Sequence, residues 1–580
     1  MTLAFQGIGV ASSCPIALGP AFIDDRGRYG ASPNSIAADQ VEGEVARFDL
    51  AVTAARRALG LIREQIPRNT PREIAGFIDA HLLMLEDAAL LDEVRRIVAE
   101  QLCCAEWALQ LHRDALVRVF DAMDDPYLRT RRDDVEHVVQ QIQTFLQAES
   151  PPPDLALRDL AGYVVVTRDL TPADAILLRH RGALAFVTEY GGPTSHTAIL
   201  ARSLGLPLVM GVHEATRYLR PREPLVVDGE SGTVLADADD STLEYYRQRL
   251  LVLQARQGRL RELVGRPCVT RDGIPVGLQA NLDLPDDVAT ARANGACGVG
   301  LYRTEFLYMN RQDLPDEEEH LATYAEMVAG LDGIPLTIRT LDLGVDKRAA
   351  GLADCPASAC NPALGLRAIR LCLKEPELFR LQLRAILRAS ALGPVRLMVP
   401  LVTSVRELDT VLALLAQLRR QLDDEGLRYD PGLPVGAMIE VPAAALAARA
   451  IASRVDFLSL GTNDLIQYTL AIDRLDDAVN YLFDPTHPAI LRLIRTVIEA
   501  GRACGIPVAM CGEMAGDPRF TRLLLGLGLR EFSMQPGALL DVKEILLDAD
   551  TRRLRWRAAD LFARLDREDP ARLLDALNQT

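Results

Sequence analysis

The chain has 580 residues, of which 49% are hydrophobic and 25% charged, and its formal net charge is −16. This length predicts about three or four domains with the composition of an ordinary globular protein. The acidic charge argues against nucleic acid or an anionic membrane as the main partner. Because the chain shows no apolar run of about 18 residues, no export signal, and no zinc or disulfide spacing among its ten cysteines, a cytoplasmic protein is expected.

The N-terminal region predicts a short strand segment followed by helices. Residues 3–23 alternate apolar and small side chains, which is typical of strand with turns. Apolar residues at spacings of three and four then begin an amphipathic helix near Val41. Three further helical stretches follow, at about 72–101, 103–123 and 131–147. Consecutive prolines after Ser150 end this region, so we predict a four-helix subdomain over 31–150.

From residue 160 the pattern changes to short β-rich runs. The segments GYVVVT, ALAFVT, LPLVMG and PLVVDG alternate with helical pieces, which predicts a compact α/β unit. We therefore expect an α/β domain formed by 1–30 and 151–240, into which the helical subdomain is inserted. Apolar residues spaced as in a helix follow, and they predict a linker helix over 241–267.

The remaining part of the chain, 268–580, repeats one pattern. Strand-like runs are separated mostly by amphipathic helices, and eight β-then-α units over this length are typical of a (β/α)8 TIM barrel. A large doubly wound sheet is the alternative. The runs are PVGLQANL, GVGLYRTE, PLTIRTLD, PVRLMVPL, PVGAMIEV, DFLSLGTND, PVAMCGE and REFSMQP.

The ends of these runs are unusually polar. In a barrel the catalytic residues lie at the carboxyl ends of the strands, so these side chains are expected on one rim. A single arginine there is more often a surface ion-pair partner, and a single cysteine is more often core filling. Recurrence at the same point of successive strands favours a site. The polar residues are Asn281, Arg303, Glu305, Arg339, Asp342, Glu440, Asn463, Asp464, Cys511 and Glu513.

The residue types at this rim fit one kind of ligand. The arginines offer planar forks for phosphate and carboxylate groups, and Arg474 follows Asp464 by ten residues as a possible further cation. Glu440 and Asp464 are oxygen donors suited to Mg2+. The Cys511 thiol can donate or accept a proton near neutral pH. The rim therefore predicts a small, multiply anionic ligand bound through a metal.

The segment GGPTSHTAILARSLGLP, residues 191–207, is the sharpest local signal. Its two glycines allow a tight turn, and Thr194 or Ser195 can cap the helix that follows. His196 then lies in the first helical turn, where the helix dipole favours neutral imidazole and an added phosphate. The alternative is a structural histidine. His81 lies on a predicted helix and is interpreted as a packing or partner-facing residue.

Several of these stretches together resemble a known family. GIGVASSCPIALGPAF, HLLMLEDAALLDEV, GGPTSHTAILARSLGLP, GVGLYRTEFLYMNR, IRTLDLGVDK, NPALGLRAIR, IEVPAA, FLSLGTNDLIQYTLAIDR, MCGEMAGDP and LGLREFSMQP occur in order along most of the chain. They are similar to enzyme I of the bacterial sugar phosphotransferase system, the phosphoenolpyruvate–protein phosphotransferases. No single stretch would be specific, but the set is.

The resemblance implies a role for each candidate residue. His196 would be the phosphohistidine intermediate, and Cys511 would protonate enolpyruvate to give pyruvate. Glu440 and Asp464 would hold Mg2+. The helical subdomain would bind HPr, the small histidine phosphocarrier, and the barrel domains would form a homodimer. The substrate phosphoenolpyruvate would be bound at Arg303, Arg339, Arg367, Asn463, Asp464 and Arg474.

Three further expectations follow from the resemblance. Pro193 stands where many family members have arginine, which removes a cation beside His196 and stiffens the turn. No segment resembling the sensory domain of nitrogen-regulating members precedes GIGVASSCP, which favours the sugar branch. Phosphate transfer would require motion, with the linker helix as pivot.

Two rival functions remain at this point. A dikinase or phosphoenolpyruvate synthase would need a nucleotide-binding domain, but the first 150 residues are helical and contain no glycine-rich phosphate loop. A regulatory scaffold without catalysis would have lost catalytic positions, but His196, Arg303 and Cys511 are all present.

Overall fold

A computed structural model describes most of the chain, and the described residues fall into two compact units, Met1–Arg256 and Gln257–Thr580. No helix among these residues combines the length and apolarity needed to cross a bilayer. The described ranges are 2–10, 15–24, 34–65, 72–121, 126–147, 160–170, 174–175, 178–179, 181–191, 197–198, 201, 206–308, 313–343, 362–473 and 479–579.

The helical part of the first unit packs around its own apolar core, which includes Phe48, Val94 and Val138. The stretch 72–101, which we expected to be one helix, contains two. The Asp87 side chain accepts a hydrogen bond of 2.9 Å from the backbone N–H of Ala89 and so caps a new helix. The helices are Val41–Gln65, Arg72–Met84, Ala88–Gln101, Ala105–Asp121 and Pro126–Gln147.

The rest of the first unit is built on an eight-stranded sheet with the order β1-β8-β7-β3-β4-β5-β6-β2. β3 to β6 pair in parallel, and the other strands pair antiparallel. β4 and β5 are buried along their whole length, as expected for central parallel strands. The strands are β1 (Leu3–Gln6), β2 (Ile8–Val10), β3 (Ile16–Asp24), β4 (Val164–Thr167), β5 (Ala185–Thr188), β6 (Leu208–Met210), β7 (Pro224–Asp228) and β8 (Thr233–Ala236).

Two further helices are described between β6 and the barrel. A short helix covers Ala215–Tyr218, and a long helix covers Asp240–Glu262. The long helix accounts for most of the stretch predicted as a linker helix. Only Leu260 is buried along it. Most of its surface is therefore solvated, although its apolar residues recur at helical spacing.

The second unit is a closed barrel of eight parallel strands. The last strand pairs with the first, with Glu531 opposite Gly277 and Met534 opposite Ala280, and this pairing closes the sheet. The barrel prediction is therefore confirmed and the doubly wound alternative is wrong. The strands are β9 (Gly277–Leu282), β10 (Gly298–Arg303), β11 (Leu336–Arg339), β12 (Val395–Val399), β13 (Val435–Ile439), β14 (Phe457–Leu460), β15 (Val508–Met510) and β16 (Glu531–Met534).

The barrel helices bury one apolar stripe each. Val405–Asp424, for example, buries Leu408, Val411 and Leu415 at spacings of three and four residues. The other helices are Asp287–Ala293, Glu317–Leu331, Ala368–Lys374, Pro376–Ser390, Pro442–Leu446, Ala448–Ala452, Thr462–Leu470, Pro488–Cys504, Glu513–Gly516, Pro518–Leu527, Leu539–Asp548, Thr551–Arg564 and Pro570–Asn578.

Candidate active site

Three buried carboxylates meet at the carboxyl ends of the barrel strands. Glu440 follows β13 directly, Asp342 lies just after β11, and Asp464 lies in the first turn of the helix that follows β14. One oxygen from each lies within 4.8 Å of the other two. The backbone N–H of Leu401 donates a hydrogen bond of 2.6 Å to Glu440 Oε1 and fixes that side chain. Carboxylates this close and this buried are a candidate cation site.

The electrostatics of Glu440 support this interpretation. Burial, followed by the carboxylates of Asp464 and Asp342, raises the pKa of Glu440 to about 8. The guanidinium groups of Arg339 and Arg367 oppose this shift only in part. A third negative charge is therefore unfavourable at this position unless a further cation is present.

Two arginines converge on the same carboxylates. Arg367 Nη2 lies 2.8 Å from Asp342 Oδ1 and 3.5 Å from Asp464 Oδ2. Arg339 Nη1 lies 3.2 Å from Asp342 Oδ2, and Arg339 Nη2 donates a hydrogen bond of 2.9 Å to Glu305 Oε1. Burial lowers the pKa of Arg339, but the surrounding carboxylates more than reverse this effect, so the group stays charged.

Two polar atoms at these arginines lack hydrogen-bond partners. Arg339 Nε and Glu305 Oε2 are buried and make no hydrogen bond within the part of the chain that the structure describes. Buried polar atoms are paired in the great majority of cases, so unpaired ones mark a functional site or a ligand position. Here they point to a polar ligand at the rim.

Two residues at this rim have strained backbone. Leu401, whose N–H binds Glu440, has φ 53°, and Ala368, which follows Arg367, has φ 50°. Residues other than glycine rarely adopt this left-handed backbone conformation. Such strain costs about 1–3 kcal/mol per residue and persists where the surrounding structure enforces it. Both positions therefore hold a site residue in place at a cost in stability.

Two glycines allow the strand ends to approach each other. A Cβ atom at Gly461 would lie 2.8 Å from Glu440 Oε2, and one at Gly512 would lie 2.6 Å from the backbone nitrogen of Thr462. Neither distance is compatible with a side chain. The glycines in GTND and CGE are therefore required by the packing of β13, β14 and β15 around the carboxylates.

The Cys511 thiol lies buried just after β15. Ser459 Oγ donates a hydrogen bond of 3.2 Å to Cys511 Sγ. Burial raises the pKa of Cys511, and the Ser459 hydrogen bond and the charge of Arg339 oppose the shift without reversing it. The thiol is therefore protonated at neutral pH, which suits a proton donor better than a thiolate nucleophile. Asn281 Nδ2 donates a hydrogen bond of 2.9 Å to the Cys511 carbonyl and anchors this strand end.

Two other residues predicted to bind substrate, Arg303 and Asn463, lie at the rim and form hydrogen bonds with other residues than the three carboxylates. Arg303 Nη1 donates a hydrogen bond of 2.6 Å to Asp283 Oδ1. The Asn463 amide and Glu513 exchange two hydrogen bonds of 3.0 Å each, from Asn463 Nδ2 to Glu513 Oε1 and from the Glu513 N–H to Asn463 Oδ1. The structure thus ties both side chains to neighbouring carboxylates.

His196, Pro193 and Arg474 lie outside the described residues. Close to His196, Thr197 Oγ1 donates a hydrogen bond of 2.5 Å to the carbonyl of Leu170. Gly191 has φ 110°, which agrees with the tight turn expected before the helix. The roles of His196 and Arg474, like those of the other candidate residues, remain predictions.

Three residues that the structure brings into the site have no role predicted from the sequence. Asp342 and Glu305 were noted only as polar strand ends, although they anchor the arginines. Gln382 was missed, yet it accepts a hydrogen bond of 2.9 Å from the Leu341 N–H and donates one of 3.0 Å to Thr304 Oγ1. Gln382 is a polar residue on the buried, mostly apolar stripe of Pro376–Ser390, and this position could have indicated a buried hydrogen-bonding role.

Comparison with known proteins assigns three segments to one group of families. Residues 257–551 match the PEP-binding domain of PEP-utilising enzymes, where PEP is phosphoenolpyruvate. Residues 7–131 match the N-terminal domain of PEP-utilising enzymes, and residues 160–232 match their mobile domain. The barrel that carries the buried carboxylates is therefore the part that matches the PEP-binding domain.

Relatives of known name match over nearly the whole chain. A phosphoenolpyruvate-protein phosphotransferase from Cupriavidus necator is 46% identical over 100% of both chains. Proteins of the same name from Listeria monocytogenes, 38% identical over 98% of both chains, and from Bacillus subtilis, 39% identical over 92% of this chain and 93% of the relative, are also similar. The chain belongs to the phosphoenolpyruvate-protein phosphotransferase family of enzymes.

Proposed function

We propose that this chain takes the phosphoryl group of phosphoenolpyruvate onto His196, releases pyruvate, and passes the phosphoryl group to a histidine of HPr. This would be the first general step of the sugar phosphotransferase system. The observation that carries the proposal is the meeting of three buried carboxylates and two arginines at the rim of a barrel that matches the PEP-binding domain.

Substrate binding follows from the charges at this rim. Phosphoenolpyruvate carries a phosphate and a carboxylate, and both suit the planar forks of Arg339 and Arg367. Each fork already lies against a carboxylate, at 2.9 Å from Glu305 for Arg339 and 2.8 Å from Asp342 for Arg367. These contacts orient the forks before substrate arrives. Arg303, Asn463 and Arg474 would complete the contacts.

The same rim fits Mg2+. Its donors are all carboxylate oxygens, and the high pKa of Glu440, about 8, reflects burial and then repulsion from Asp464 and Asp342, which a cation would relieve. Glu440 and Asp464 would hold the ion, and Asp342 would face it while fixing the arginines. Bound Mg2+ supplies positive charge for the substrate oxygens during phosphoryl transfer. The orientation of Glu440 by the Leu401 N–H prepares this contact.

In the proposed reaction the phosphoryl group passes to His196, and the Cys511 proton passes to the enolate of pyruvate. The bond between phosphorus and the bridging oxygen of the substrate breaks, and a bond forms between phosphorus and a ring nitrogen of His196. The enolate of pyruvate remains, and its C3 atom takes the proton of the Cys511 thiol. The raised pKa of Cys511 keeps that proton in place until then. Solvent reprotonates the thiolate.

The helical subdomain would receive HPr. Its surface combines acidic residues with exposed apolar side chains such as Leu50 and Leu83, which suits a carrier with a basic face and an apolar centre. The barrel would form the homodimer interface, and it leaves Leu446 and Tyr481 exposed. A cytoplasmic location, expected from the sequence, is part of this proposal.

One mixing experiment tests this function. The protein is incubated with Mg2+, labelled phosphoenolpyruvate and either HPr or its nitrogen-branch counterpart, and pyruvate and labelled carrier are measured. We expect catalytic labelling of HPr, none with His196→Ala, and normal labelling with His213→Ala, a control at an exposed position. Pyruvate release that survives His196→Ala, or transfer from ATP alone, would show that the proposed function is wrong.

A further inference from the structure

A second cluster of metal-binding side chains lies in the first unit. His81 lies on Arg72–Met84, Asp134 and His137 lie on Pro126–Gln147, and Asp169 follows β4. His81 and Asp134 are buried, with 3% and 5% of their surface exposed. Asp134 and His137 are three residues apart on one helix and so share a face. Two helices and a strand end therefore bring four polar groups together.

The spacing of these groups matches ligands around one ion. One ligand atom from each of His81, Asp134 and His137 lies within 4.8 Å of the other two. His81 Nε2 lies 3.5 Å from Asp134 Oδ1, and His137 Nε2 lies 3.4 Å from Asp169 Oδ2. Two ligands of a tetrahedral zinc ion with bonds of about 2.0–2.1 Å are separated by about 3.3–3.4 Å.

The Nε2 atom of His81 adds a second observation. It is buried and makes no hydrogen bond to any residue that the structure describes, although the Asp134 carboxylate is close. The rings of His81 and His137 lie 6.0 Å apart between centroids, at an interplanar angle of 61°. A buried polar atom without a partner calls for an explanation such as an ion. The unpaired atom faces the cluster, which is the geometry that an ion would complete.

We propose that His81, Asp134 and His137 bind one zinc-class divalent cation, with the Asp169 carboxylate beside His137 orienting that ring. Imidazole nitrogens together with carboxylate oxygens suit Zn2+ and its neighbours in the first transition row. Mg2+ prefers oxygen ligands alone. The cluster is thus chemically different from the all-carboxylate set at the barrel rim, and it binds a different class of ion.

The position of the cluster indicates what the ion does. It joins the helices Arg72–Met84 and Pro126–Gln147, and His137 in turn contacts Asp169, which lies after β4. The next residue, Leu170, accepts the hydrogen bond from the Thr197 hydroxyl. The ion therefore ties two of the inserted helices together and, through His137, to the segment after β4 that holds the Thr197 hydroxyl, and it stabilises the first unit.

Cobalt binding to the whole protein tests this site. Metal-free protein is titrated with Co2+ in excess Mg2+, which occupies the all-oxygen rim. We expect one Co2+ per chain, with the intense visible absorption of a four-coordinate site, and its loss on adding Zn2+. His137→Gln and Asp134→Asn weaken Co2+ binding at least about tenfold, whereas His112→Gln, on the neighbouring helix Ala105–Asp121, leaves it unchanged.

Thermal unfolding supplies a second readout. In excess Mg2+, which occupies the barrel rim, Zn2+ raises the Tm of the wild-type chain because it binds the folded state, and it raises the Tm of His137→Gln, a variant at a partly exposed position, clearly less. The proposal is overturned if Co2+ binding is unaffected by both substitutions, if the absorption is the weak band of a six-coordinate site, or if Zn2+ raises the Tm of the variant as much as that of the wild type.

Discussion

Binding of Mg2+ at the barrel rim should be linked to proton release from Glu440. The pKa of Glu440 is raised from 4.5 to about 8, first by burial and then by the carboxylates of Asp464 and Asp342. At pH 7 about nine in ten of these side chains therefore carry a proton, which must leave before the carboxylate binds a cation. Binding should release about 0.9 proton per ion at pH 7 and about 0.5 at pH 8, and the apparent affinity should rise about tenfold per pH unit between pH 6 and 7.

Calorimetry measures this linkage directly. Titration with Mg2+ at pH 7 in two buffers of different ionisation enthalpy should give heats that differ by about 0.9 of that enthalpy difference. Glu440→Gln is the matched control, in which the buffer dependence disappears and binding weakens. Equal heats in the two buffers, or an affinity that is constant from pH 6 to 8, would refute the electrostatic account of this site.

The same shift predicts how metal-free stability depends on pH. Because the folded pKa of Glu440 lies above its unfolded value of 4.5, the folded state binds the proton more tightly. The stabilisation from this group is fully present below about pH 4.5 and is lost progressively as the pH rises to about 8. Saturating Mg2+ should remove much of this loss, because the ion replaces the proton.

Three substitutions probe the remaining parts of the site. Cys511→Ala should slow pyruvate formation by about 10²–10⁴ fold, measured in the steady state, while label exchange between His196 and the carrier continues. Asp342→Asn weakens the anchor of both arginines and should lower kcat/KM for phosphoenolpyruvate by about 10–100 fold, since a hydrogen bond to a charged group contributes about 1.5–3 kcal/mol. Gln382→Leu leaves the buried N–H of Leu341 unpaired and should lower the free energy of unfolding in urea by about 1–3 kcal/mol.

For each of these substitutions, one result would contradict the predicted effect. Equal loss of both half-reactions in Cys511→Ala would place the thiol outside the protonation step. An unchanged kcat/KM in Asp342→Asn would show that the arginines hold their positions without it. For Gln382→Leu the control is Gln417→Leu, an exposed position on Val405–Asp424 that should change stability by less than about 0.5 kcal/mol. Equal effects at both positions would refute the hydrogen-bond argument.

The barrel and its polar rim were predictable because the signal repeats. Six of the eight strand runs are short apolar segments with a polar residue at or just after their end, and the rule that parallel strands share one carboxyl end brings Glu440, Asp464 and Cys511 together. The helix break at Asp87 was not predictable from periodicity. Apolar residues continue across it, from Leu82 and Leu85 to Leu90, and a single capping aspartate is a weak signal.

Other parts of the site depend on tertiary pairing, which sequence spacing does not reveal. The role of Asp342 follows from Arg367, which approaches it from a segment 25 residues further along the chain. The role of Gln382 is to accept a hydrogen bond from the Leu341 N–H, and Leu341 lies 41 residues away in the chain. Likewise His81 was interpreted as a packing residue, because its neighbours Asp134 and His137 lie on a helix more than 50 residues later.

The most direct test of the central claim is to locate the phosphoryl group. The protein is incubated with Mg2+ and labelled phosphoenolpyruvate, digested at alkaline pH to preserve phosphohistidine, and its peptides are sequenced by mass spectrometry. The account predicts one phosphoryl group per chain, on His196, in the peptide that contains GGPTSHTAILARSLGLP. Phosphate on a different residue, or labelling of His196 by ATP but not by phosphoenolpyruvate, would contradict it.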